Sequence, residues 1–203
     1  MISLTRESQQ IEDYLRADDV VDYTHPLVQQ LARDLETSGA SEEERIRAAF
    51  ELVRDRVHHS VDIQSERVTC TASEVLAAGE GLCFAKAHLL AALLRAQGIP
   101  AGFCYQRLTV GETAAHGHVV HGLVAVHLSE SDQWIRLDAR GNKPGVQANY
   151  AAGTDVLAFV ARPEFGEIDY PTIYATPHAK VLAALRAHTN CVELCERHLP
   201  ERL

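Results

Sequence analysis

The chain reads as an α+β protein in which helices pack on a mostly antiparallel β-sheet, and three observations carry that reading. The first 60 residues hold three segments with helical spacing or punctuation. A long alanine- and leucine-rich run from Cys83 to Ala96 then ends at Gly98, with Pro100 forbidding continuation. Three strand-like runs follow in close succession, two of them read as apolar and β-branched. Helices grouped ahead of strands, rather than alternating with them, favour α+β over a doubly wound parallel sheet.

The elements are expected in this order. Near Arg6–Arg16, Ile11, Tyr14 and Leu15 share one side of a helix. Pro26 is placed to open a second helix through Leu35, with Gly39 beyond its end. Ser41 caps a third helix, Glu44 completes a capping box, and Ile46, Ala49, Phe50 and Val53 form its inner stripe. The segment from about His58 to Thr71 is polar and irregular, and is expected to wall one side of a cleft. Strands are expected over Ala101–Val110, Val119–Leu128 and Gln133–Asp138. Gly111–Gly117 joins the first two as a hairpin loop, and the turn Ser129–Asp132 makes the last two an antiparallel hairpin. Ala139–Gly145 is turn chemistry throughout. Asp169–Pro177 is extended, and Pro177 opens a last helical region through about Arg197, bent near Asn190. With no repeat or linker in 203 residues, a single domain spanning 1–203 is the expectation.

Composition narrows the partners. The formal net charge is −9 and no stripe of Lys or Arg is present, which argues against nucleic acid or an anionic membrane. The acidic run Ser41–Glu44 reads as a helix start rather than a recognition patch. No run approaches the ~18 apolar residues of a membrane helix, and the N-terminal residues lack the form of a secretory signal. Five cysteines, an odd number without disulfide-like spacing, point to a reducing cytoplasm.

Cys83 is the residue that carries chemistry. It follows a glycine-rich turn, Gly79-Glu80-Gly81-Leu82, and opens the apolar helix. Unpaired backbone N–H groups and the positive end of the macrodipole surround a thiol in such a first turn, favouring thiolate. The same position also suits an inert buried cysteine. His121 on the second strand and Asp138 at the end of the third supply the other parts of a thiol acyl-transfer triad.

On these residues the chain resembles the transglutaminase-like superfamily, the bacterial branch of the papain-like cysteine enzymes. The matching motifs are Gly81-Leu82-Cys83, the run Leu89–Ala96, Gly98-Ile99-Pro100-Ala101, the preceding Ala72-Ser73-Glu74-Val75-Leu76, His121–Val126 and Trp134–Asp138, a core of about residues 45–140. The resemblance implies Cys83 as nucleophile, His121 as acid and base, and Asp138 as its orienting carboxylate. Two positions depart from the family pattern. Gly122 follows the histidine where many members have Trp, and Phe84 follows the cysteine where many have Gly.

The expected reaction is acyl transfer, or amide or peptide hydrolysis, through a thioester on a peptide, protein or small amide substrate, with no cofactor. The Cys83 N–H is one oxyanion donor. Gln64 is the best-typed upstream side chain for the second, and His118 and Trp134 are the candidate substrate contacts. Alternatives are a catalytically silent binding module on the same fold and an arylamine N-acetyltransferase-like acyltransferase. A metal-dependent hydrolase built on His116, His118 and His121 is a further one, but residues three apart on a strand leave opposite faces. At the C-terminus, His188, Cys191, Cys195 and His198 fall on one helical stripe too long for one zinc ion, and read as a buried face. Cys70 and Cys104 have no local base and read as fillers.

Overall fold

In a computed structural model, which describes residues 2–36 and 39–203, the chain places one central helix between a layer of helices and an antiparallel sheet. The first pieces are a short strand β1 (Thr5–Arg6) and a 3-10 turn (Ile11–Leu15), where one helix was expected. Tertiary bonds override the local helical spacing here. The Tyr14 hydroxyl donates to Ile173 O at 3.1 Å, and the Ser8 hydroxyl donates to Asp13 at 2.5 Å, which turns the segment against the sheet.

Helices α1 (Pro26–Leu35) and α2 (Glu42–Arg56) then follow, with Pro26 at the start of the first. Both halves of the Ser41/Glu44 capping box are made, and Ile46, Ala49, Phe50 and Val53 are all fully buried. Strand β2 (His58–His59) interrupts the polar segment. A second capping box, Thr71 with Glu74, opens α3 (Ala72–Ala78), which Gly79 ends at φ +69°. Only glycine takes that left-handed cap without strain. Strand β3 (Glu80–Gly81) runs parallel to β2, with His59 opposite Gly81, and leads straight into α4 (Cys83–Ala96).

Helix α4 is buried on every side from Phe84 to Arg95. A helix apolar all round can only sit inside a protein, and its alanines let α1, α2 and α3 approach on one side and the sheet on the other. That sheet is built from β4 (Ala101–Thr109), β5 (His118–Leu128), β6 (Gln133–Leu137) and β7 (Ile168–Asp169), in the order β6-β5-β4-β7, all antiparallel. Strand β8 (Thr172–Ile173) pairs in parallel with β1. Period-2 alternation sorts β5 cleanly. Val120, Val124 and Val126 join the helical core, whereas Leu123 and Ala125 join a smaller cluster around Tyr14 and Ile173.

The chain closes with α5 (Ala179–Ala187) and α6 (Cys191–Arg197), broken where Asn190 caps the second helix by accepting from Glu193 N. The break invalidates the single continuous stripe. It stacks the His188 and His198 rings at 4.4 Å and leaves Cys191 and Cys195 with sulfurs 3.9 Å apart. Cys104 is fully buried, and burial pushes its thiol up to about 12. Burial likewise raises Cys70.

Candidate active site

Three elements bring the site together. Cys83 is the first residue of α4, and its N-cap, Leu82, has no side chain able to bind the helix N–H groups. The first bond of the helix runs from Lys86 N to Leu82 O, so the N–H groups of Cys83, Phe84 and Ala85 lack intrahelical partners. An apolar N-cap costs a helix about 1 kcal/mol relative to Ser or Asp. In return those donors stay available to a ligand. Space at Gly81 is tight. A Cβ there would lie 3.1 Å from the Thr69 hydroxyl and 3.2 Å from Ala85 Cβ.

His121 stands on β5 and Asp138 just beyond β6, where the β5–β6 ladder ends. His121 Nε2 and Asp138 Oδ2 are 2.9 Å apart, with the carboxylate fully buried and the imidazole nearly so. Asp138 also accepts from Arg140 N and Ala158 N, each at 3.1 Å. Burial disfavours its charge, but His121 and these two N–H groups together hold it below the usual carboxylate range. Because Nε2 is committed to Asp138, Nδ1 is the nitrogen left for Cys83. Burial also opposes the imidazolium, yet Asp138 and the Cys83 sulfur outweigh it and raise His121 to about 10. Phe159 packs edge-on against the ring at 5.2 Å, and Gly122 N–H approaches the Cys83 sulfur at 3.5 Å.

The two departures from the family pattern explain one another. A Cβ at Gly122 would lie 2.8 Å from the Phe84 ring and 3.2–3.3 Å from Phe84 backbone atoms. Phe84 thus fills the space beside residue 122, and the close approach brings Gly122 N–H to the sulfur.

Cys83 and His121 open onto a cavity of about 830 Å³, walled on one side by His59 and Val61 from the polar segment. Over it, Arg140 makes a bidentate ion pair with Asp62 at 2.6 and 2.9 Å, and Lys143 adds a third contact at 2.6 Å. Burial works against the Asp62 charge, but these cations hold its carboxyl well below the ordinary range.

The other sequence candidates fare differently. Gln64 is exposed in a turn at φ +54°, where Gln64 N donates to Val61 O, and it does not line the cavity. Asp62 of that loop is held by Arg140 and Lys143, while Gln64 turns out to solvent. Trp134 lies four residues before Asp138 along an extended strand, roughly 13 Å away. It packs against Tyr14 and His127 and is not a cavity residue. His118 does line the cavity, as does His116. Both its ring nitrogens are occupied, Nδ1 by Arg107 at 3.0 Å and Nε2 by Phe165 O at 2.8 Å. Among the described residues, no three His, Cys, Asp or Glu side chains converge as metal ligands.

Sequence reasoning missed Lys86, wholly buried one turn beyond Cys83. Its ammonium donates to the Val57 carbonyl and to Arg54 O at 3.4 Å, closing the C-terminal end of α2. Burial, aided by Arg140, lowers it to about 8. The available signal was a lysine within the run from Phe84 to Leu94, which is otherwise apolar but for His88.

A central helix opened by a half-buried cysteine and packed on an antiparallel sheet defines a papain-like class of fold. The family model of the transglutaminase-like superfamily matches residues 29–139, and the chain belongs to that superfamily. A solved structure from Cytophaga hutchinsonii, provisionally assigned as a cysteine protease, is similar at 20% identity with a TM-score of 0.52. The match covers 66% of this chain and 43% of that one, so the present chain spans less than half of that relative. The periplasmic domain of TgpA from Pseudomonas aeruginosa matches at 18% identity and a TM-score of 0.48, over 65% of this chain and 48% of that one. No curated protein matches the chain at significant similarity.

Proposed function

We propose that the protein is a cysteine-dependent enzyme that cleaves an amide or peptide bond, or transfers its acyl group, through a thioester on Cys83. The observation that carries this reading is the His121–Asp138 contact of 2.9 Å beside the Cys83 sulfur at the cavity wall. Cys83 as thiolate forms a bond to the carbonyl carbon, and the carbonyl electron pair moves to oxygen. The Cys83 N–H at the open helix start donates to that oxyanion. As the tetrahedral species collapses, the C–N bond breaks and Nδ1 of His121 protonates the departing amine. The neutral imidazole then removes a proton from water or from an acceptor amine, whose attack releases the thiolate. Asp138 keeps the Nε2–H oriented throughout, so Nδ1 presents a lone pair at the moment it must act as base.

Water and an amine lead to hydrolysis and transfer respectively, from one intermediate. All five cysteines are unpaired in the fold, which suits a reducing cytoplasm, and no helix among the described residues is long and apolar enough to cross a membrane.

Turnover of carboxamide, peptide and ester substrates, with and without an amine acceptor, tests the reading. Cys83→Ala is expected to abolish it with the fold retained, and His121→Ala to cost nearly as much, since nucleophile and base act as a unit. Asp138→Asn is expected to be severe but milder. Equal ligand binding by wild type and Cys83→Ala, with turnover in neither, would make the fold a binding module.

A further inference from the structure

With Gln64 turned to solvent, His59 is the upstream residue lining the cavity whose side chain can donate a hydrogen bond. We propose that His59 is the second oxyanion donor, its Nε2–H binding the substrate carbonyl oxygen opposite the Cys83 N–H. This rests on the acyl-transfer reading and deepens it.

Four observations carry the assignment. Strand β2 sets His59 opposite Gly81 in the parallel pairing with β3, two residues before Cys83, so the backbone fixes its distance from the nucleophile. His59 lines the same cavity as Cys83 and His121. Among the described residues its ring makes no hydrogen bond, and Nδ1 is completely enclosed. Nε2 is not enclosed in this way, so it is the nitrogen with access to a ligand. No hydrogen bond among the described residues commits Nε2, so it is free for a partner that arrives with the substrate.

The charges around the ring decide what it can do. Burial and the cations Arg140 and Lys86 disfavour its protonation, as does His121, while Asp62 favours it. The balance lowers His59 to about 3, so it is neutral at physiological pH. That is too low for an effective general base, whose pKa should lie near the working pH. It leaves one N–H on the ring. With that N–H on Nε2, the enclosed Nδ1 keeps the lone pair. A neutral donor of this kind stabilises an oxyanion without competing with His121 for its proton.

Two reactions of Cys83 separate this role from a structural one. Acylation by p-nitrophenyl acetate passes through an oxyanion, whereas alkylation by iodoacetamide displaces iodide at a saturated carbon and forms none. His59→Phe and His59→Ala are expected to slow single-turnover acylation by about 10²-fold, the usual loss for one oxyanion donor. His59→Gln, which restores an N–H, should recover part of it. Alkylation should stay within about threefold of wild type in all three variants. Acylation of His59→Phe at the wild-type rate would overturn the assignment. So would a parallel loss of acylation and alkylation, which places His59 on the thiol or in the fold. A wild type that takes no acyl group on Cys83 overturns the acyl-transfer reading and this inference with it.

Discussion

At the residue scale, the surroundings favour a charged His121. The Asp138 carboxylate, buried and bound by two backbone N–H groups, and the Cys83 sulfur together favour imidazolium strongly enough to overcome the desolvation of the ring. In thiolate–imidazolium chemistry the alkaline limb of the rate profile reports loss of the imidazolium proton. With His121 raised to about 10, kcat/KM should hold its plateau far beyond pH 6.5, the ordinary histidine value, and fall only near pH 10. Asp138→Asn removes the main Coulombic contribution, so its alkaline limb should move down by more than one pH unit. A wild-type profile that falls between pH 6 and 7 would contradict this charge assignment.

At the element scale, the decisive contact is between the first turn of α4 and the middle of β5. Gly122→Ala inserts a methyl where the Phe84 ring and backbone already stand, and overpacking of this kind costs about 1–3 kcal/mol. The larger effect should be on rate, because pushing β5 from α4 moves His121 away from Cys83, and a displacement of about 1 Å can cost 10²-fold. Phe84→Leu in the same chain should return part of both losses, measured by urea unfolding and by turnover. This contact also marks where the sequence stops being legible. Caps, glycine and proline punctuation and the apolar runs foretell α1, α2, α4 and the β4–β6 strands, because those signals are local. The same punctuation puts Cys83 at a helix start and Asp138 just past a strand end, whereas His121 lies inside β5 and no local signal marks it. The Gly122–Phe84 fit was visible only as two separate departures, since their compensation depends on a register 38 residues apart. Gln64 has a suitable amide, but a left-handed turn leaves it on the exposed side of its loop, which no local pattern announces. The N-terminal segment departs from its helical spacing because Tyr14 bonds to Ile173, distant in the chain.

At the scale of the whole molecule, the fold depends on buried ionisable groups whose protonation opposes one another. His59 and His88 are lowered to about 3 and 4, chiefly by burial. The unfolded chain therefore binds their protons first, and stability should fall as pH drops below 6.5, by about 1.4 kcal/mol per pH unit for each group. Asp138, also lowered, adds to the loss nearer its own range. His121 has the opposite sign. Its contribution is complete below pH 6.5 and is lost as pH rises toward about 10. Lys86, lowered to about 8, is relieved between there and 10.5, so it should flatten the decline above pH 8. Urea midpoints across pH 4–10 should peak between about 6.5 and 7. His88→Leu should weaken the acid limb, and a midpoint that keeps rising to pH 9 would contradict the His121 assignment. All of this serves one claim, that Cys83 carries an acyl group during turnover. Brief exposure to p-nitrophenyl acetate, acid quench and peptide mass mapping tests it most directly. The account predicts a single acetyl group on the Cys83 peptide, absent in Cys83→Ala and strongly reduced in His121→Ala. An acetyl group found elsewhere, or on Cys83 equally in His121→Ala, would contradict it.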